Sequence, residues 1–107
     1  MHGTIETTQA ASDDTIIFSA IVDRVKTSPD AVIGRNGVTG GTTYTFNGVT
    51  LTDHSETPQG GSPFLSLDDQ PGQFVVMHTI GDESWVEAHG GQESSAALGQ
   101  MKTKLAL

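Results

Sequence analysis

The residues of this 107-residue chain whose chemistry could reach beyond packing concentrate in one stretch, His78, Glu83, Glu87 and His89. Zinc and iron take imidazole and carboxylate ligands, and need three such groups converging on one point. Facing strands of a hairpin would carry His78 toward Glu87, with His89 at the strand end. The spacing contains neither HxH nor HExxH, and Glu87 serves equally well as a solvated surface charge. No metal, cofactor or catalytic role is therefore assigned to this group.

Other constellations carry less. Asp53, His54 and Ser55 supply the residue types of a nucleophilic triad, but no Gly-x-Ser-x-Gly elbow presents the serine. The glycines at 37–41 and 60–61 lack the Lys and Ser/Thr of a phosphate loop and the spacing of a dinucleotide turn. Asp68-Asp69 and Asp82-Glu83 do not have the alternating acidic spacing of a calcium loop. Trp85, the single tryptophan, would stack on a sugar together with Tyr44; its competing role is a packing anchor beside Val86 in a β core.

Lys and Arg total 5 against 13 Asp and Glu, a formal charge of −8. With no basic stripe to neutralise phosphates, nucleic acid and anionic membrane surfaces are disfavoured, and the balance suits either solubility at high copy number or docking on a basic protein surface. The absence of cysteine excludes disulfides and thiolate chemistry. Met1 to Asp14 has neither the positive start nor the apolar run of a secretory signal, and no apolar run approaches the roughly 20 residues that cross a bilayer.

The elements that must position these residues read as antiparallel sheet. Thr43 to Thr52 is two alternating strands around Asn47-Gly48, and a two-residue type I′ turn pairs Phe46 with Val49, Thr45 with Thr50, Tyr44 with Leu51 and Thr43 with Thr52. One face of that ribbon is apolar and the other threonine. Residues 73–80 and 84–89 form a second hairpin around Gly81-Asp82-Glu83, apolar on both faces and so expected to be covered on both. Ala31 to Gly34 is a short strand after a Ser28-Pro29-Asp30 turn. Phe64 to Leu67 is a short strand or apolar anchor interrupting a Gly- and Pro-rich loop over 53–73.

Two segments admit two readings. Thr15 to Lys26 is rich in β-branched residues and reads as a strand, with a helix through Ile17, Ile21 and Val25 as the alternative. Gly99 to Leu107 reads as a terminal strand with Lys102 and Lys104 outward; the alternative is a helix from Ser94 through Leu98, Met101 and Leu105. Residues 1–14 are polar, contain one large aliphatic residue, Ile5, and read as an extended arm. The fold class expected is all-β: a small antiparallel sandwich or barrel-like domain over 15–107, with the arm before it.

An acidic, cysteine-free β domain with a polar arm and an interrupted Gly/Pro-rich loop resembles, in overall layout, the decoration or cement proteins of tailed-bacteriophage capsids. That resemblance implies a non-enzymatic virion protein, made in the host cytoplasm, that forms a homo-oligomer, a trimer first of all, and binds the major capsid protein. The contact candidates it implies are Ile5 and Thr7 in the arm, Phe64 and Leu65 in the loop, and Met101, Leu105 and Leu107 in the tail. The competing classes are a metal-binding cupin-like barrel enzyme centred on His78, Glu87 and His89, although the paired histidines of the first cupin motif are lacking, and a carbohydrate-binding module using Trp85 and Tyr44.

Overall fold

The computed structural model describes residues 2–58 and 60–107, with side chains from residue 13 onward. Its elements are α1 (His2–Thr27), β1 (Val32–Arg35), β2 (Thr42–Phe46), β3 (Val49–Asp53), β4 (Phe64–Leu67), β5 (Phe74–Ile80), β6 (Glu83–His89) and α2 (Ser94–Leu105). The six strands form one antiparallel sheet in chain order. β1 and β6 are its two edges, so the sheet is open. The β-rich antiparallel character expected from the sequence is present, whereas a sandwich or barrel is not: two helices supply the second layer.

The Asn-Gly hairpin forms in the register its residue types demand, Phe46 opposite Val49, Thr45 opposite Thr50, Tyr44 opposite Leu51 and Thr43 opposite Thr52. Asn47 at φ 52° and Gly48 at φ 80° take the two left-handed positions of the turn. Alternation then propagates across the meander. Val49 and Leu51 face Leu67 and Leu65 on β4, and Leu65 faces Val75 on β5. These five are buried on one face of the sheet.

The cover for that face is helical. In α1, Phe18, Ile21 and Val25 are fully buried, and in α2 Ala97, Leu98, Met101 and Leu105 are buried, all in one cluster with the sheet residues. Their spacing at i, i+3, i+4, i+7 is that of one helix face. The strand expected over Thr15 to Lys26 is thus overturned. β-branched content expresses fit to a pleated surface, and a fully apolar sheet face offers more burial to a helix face than an added edge strand would receive. The expected terminal strand is likewise α2. Its last turn carries Lys102 and Lys104, favourable to the helix dipole, and it closes on Ala106 in the left-handed region with Ala106 N–H and Leu107 N–H donating back to Thr103 and Lys102 carbonyls.

Residues 2–14, expected as an extended arm, continue the same helix, which at 26 residues is about 39 Å long. α1 stops where hydroxyls take over its last carbonyls: Thr27 Oγ1 donates to Asp23 O and Ser28 Oγ to Arg24 O, both at 2.6 Å, and Pro29 follows. Ala31 N–H donates to Ser28 O at 3.1 Å, closing the expected turn. The hairpin tip also touches α2, with Asn47 Nδ2 donating to Lys104 O at 3.3 Å.

Three outcomes follow from this architecture. Phe18→Ala is expected to destabilise the fold by about 3–5 kcal/mol, the cost of a large cavity in a closed core; deletion of residues 1–12, which precede every buried residue of α1 among those described, is expected to preserve a cooperative thermal transition. Gly48→Ala forces a Cβ into the left-handed region and is expected to cost about 1–2 kcal/mol, read by denaturant unfolding.

Candidate functional site

Because side chains alternate, covering one face of the sheet leaves the other to solvent. The second face carries Thr45 and Thr50, Thr52 and Phe64, Phe74 and His89, Val76 and Glu87, and His78 and Trp85 as directly opposed pairs or ladder neighbours. Among the described elements none packs over it. Sequence alternation places the rings, and the register brings them together.

They form a continuous row across four strands. His54, just after β3, lies 5.4 Å from Phe64, Phe64 lies 5.4 Å from Phe74, and Phe74 lies 4.8 Å from His89, nearly parallel to it at 11°. Beside this row His78 stacks on Trp85 at 5.3 Å. Such contacts contribute roughly 0.5–1.5 kcal/mol each beyond area burial. The two groups enclose Val76, which is buried without any second layer above it. Phe64, Phe74 and Trp85 are themselves half-buried, and Val32 and Ile80 extend the face with 70% of each exposed.

The charge on this face has one sign. By register Glu83, Trp85, Glu87 and His89 share it, and Asp68 reaches it through its carboxylate, which accepts from Thr50 Oγ1 at 2.7 Å. The five cations stand elsewhere. Arg24 and Lys26 are on α1, Lys102 and Lys104 on α2, and Arg35 falls on the helix-covered side, opposite Thr42.

On that helix-covered side the two cations of α1 are already engaged. Arg24 lies over the Phe46 ring and Lys26 over the Tyr44 ring, each 5.5 Å from the ring centre. Lys26 Nζ also bonds Asp53 at 3.0 Å. Burial pushes the Asp53 carboxyl upward, but hydrogen bonds from the Ser55 backbone N–H, Lys26 and the Ser55 hydroxyl outweigh it and hold the group below its ordinary value. The hydrogen bond to Asp53 holds the Lys26 ammonium above its own.

The expected sites fare differently. Glu87 pairs with the neighbouring His89 at 2.7 Å while His78 stacks on Trp85, and among the described residues no three His, Cys, Asp or Glu side chains converge to hold a metal ion. Ser55 N–H caps Asp53 at 2.9 Å and the His54 ring is turned to Phe64, so the three residues form a turn and not a triad. Tyr44 and Trp85 lie on opposite faces of the sheet and cannot sandwich one sugar. Trp85 is also not the core anchor expected of it; Val86 takes that place.

Of the contact candidates, Leu65, Met101 and Leu105 are buried in the core, where sheet and α2 meet, so packing replaces the contact role expected of them. Phe64 belongs to the uncovered face, and Leu107 is 51% exposed at the chain end. The side chains of Ile5 and Thr7 lie outside the described residues. Sequence reasoning missed Phe74 and the aromatic role of His54; the alternation of Phe74, Val76 and His78 against Val75 and Met77 was the available signal.

The depressions described on the surface are small or open. A partly open depression of about 10 Å³ beside Gln70 and Gln73 has room for about a single water. Two open grooves of about 270 and 360 Å³ run along α1 past Met77, and neither brings a histidine to a hydroxyl. No helix among the described residues is long and apolar enough to cross a membrane. No protein family, curated protein or solved structure matches this chain.

The Lys26–Asp53 pair sets a pH dependence. A lowered carboxyl stabilises the fold above its unfolded value near 4 and loses that contribution as pH falls through the folded value; a raised ammonium loses its contribution only in strong base. With Lys26 half exposed, Asp53→Asn is expected to cost about 0.5–1 kcal/mol at pH 7. The gap between parent and variant in urea unfolding is expected to close toward pH 3.

Proposed function

We propose that this chain is a structural adhesion protein of the capsid decoration, or cement, class, docking on shell subunits through the uncovered face of its sheet. The observation that carries this reading is the row of rings from His54 to His89 on a face that no element of the described chain covers. A soluble monomer seldom leaves a contiguous aromatic patch open unless something binds there. Six strands at about 4.8 Å each make the face about 29 Å wide, and with strands averaging about 18 Å its flat outline is roughly 500 Å², the size of a small interface and below the roughly 800 Å² per partner of a standard one.

The mechanism is burial of area on a rigid platform. Stacked rings and the cross-strand hydroxyl pair of Thr45 with Thr50 at 2.9 Å fix the side chains before contact and lower the ordering cost of binding. Assembly of several copies, a homotrimer in the first instance, draws support from a second feature. The edge strand β1 exposes Val32 and Ile33 at 70% and 67%, with Val38 at 96% in the loop beyond it. An unpaired edge flanked by β-branched residues is a template for strand addition.

The test is quantitative mass spectrometry of purified particles produced by the genome that encodes the chain. The expected result is the chain in the particles in fixed proportion to the major capsid protein, with loss of that attachment in Phe74→Ser/Trp85→Ser. A chain found only free of particles overturns the reading.

A further inference from the structure

We infer that Trp85, set between Glu83 and Glu87 on β6, receives an arginine or lysine side chain from the protein partner of the uncovered face. The inference rests on the docking part of the reading above and names the chemistry of the partner.

The chain itself displays the constellation. On the helix-covered side a ring and a carboxylate together hold a cation: Tyr44 beneath Lys26, with Asp53 at 3.0 Å. Ring quadrupole and carboxylate charge attract the same group, and each strengthens the other when water is excluded. On the uncovered face the ring and the carboxylates recur without the cation. Glu83, Trp85 and Glu87 stand at alternate positions of one strand, so they share a face about 7 Å apart in sequence order. Every lysine and arginine of the chain lies on a helix or on the other side of the sheet.

A guanidinium fits this place well, since its plane stacks on an aromatic ring while its N–H groups fork to carboxylates. Glu87 is 51% exposed and, among the described residues, pairs with its neighbour His89, leaving acceptor capacity for a partner. A second copy of the chain is the poorer occupant. Face to face, two copies would oppose like charges, and the cations of the helical layer are largely committed: Arg24 to Phe46, Lys26 to Asp53 and Tyr44, and Lys104 to Asp69 at 3.5 Å. The complement is therefore a basic segment of a different protein.

The single tryptophan makes the test direct. The full chain is titrated at low salt with a tetra-arginine peptide while Trp85 emission is followed. A saturable change is expected, with Kd raised at least tenfold by Glu83→Gln/Glu87→Gln and about threefold by Glu83→Gln alone, which leaves the Glu87–His89 pair in place. Asp23→Asn/Asp30→Asn removes as much charge from the helical layer and the loop after it, and is expected to leave Kd within twofold.

Equal weakening in both double variants would reduce the effect to net charge and overturn the inference. So would peptide binding seen by calorimetry without a change at Trp85, or emission that varies with the chain's own concentration and is not reversed by peptide, which would put a second copy on the face. Particles that carry the chain while the peptide leaves Trp85 untouched would sink this inference and spare the docking reading; the opposite pair of results would do the reverse.

Discussion

The apolar row Val49, Leu51, Leu65, Leu67 and Val75 has to leave water, and the fold is organised by how that happens. Each of these side chains contributes about 1.5–3 kcal/mol when fully buried, so an uncovered sheet would forfeit most of the stability of a domain this size. Two helices, one from each end of the chain, lay Phe18, Ile21, Val25, Leu98, Met101 and Leu105 against the row. The sheet contributes only one such face, and the helices are both spent on it.

That expenditure shapes the other face. With no second layer to exclude water, its residues bury one another within the plane: rings lean on rings, and Val76 and Thr52 are enclosed by their ladder neighbours. The result is a rigid, partly apolar surface, which differs physically from a loose hydrophobic loop because little conformational entropy remains to be lost on contact. The placement of charge follows the same division. Lysines and arginines flank the helical layer, where their stems and heads cover Phe46 and Tyr44, and carboxylates remain on the side of Trp85.

Tyr44 and Phe46 on β2 and Trp85 on β6 show why the chemistry of a ring depends on its side of the sheet. Tyr44 and Phe46 point toward α1 and have their cations supplied from within the chain. Trp85, four strands away on the opposite face, has an imidazole and carboxylates but no internal cation. Composition alone, with five cations and six Phe, Trp and Tyr side chains as potential partners, says nothing of this asymmetry.

Local pattern was enough for the strands. Asn47-Gly48 dictated its hairpin because two residues tolerant of positive φ admit essentially one register, and the alternation through 73–80 and 84–89 located the second hairpin, although Glu83, read as turn, is the first residue of its second strand. The helices were legible only as alternatives, since Ile17, Ile21 and Val25 satisfy a period of four and a period of two alike. Only the tertiary structure decided between them: an apolar sheet face already built from β3, β4 and β5 rewards a helix that presents three buried side chains at once. The same decision settled the site. Sequence placed Phe74, His78, Trp85 and Glu87 on alternating strand faces, and the choice of which face the helices would cover, a long-range matter of burial, left those residues in the open.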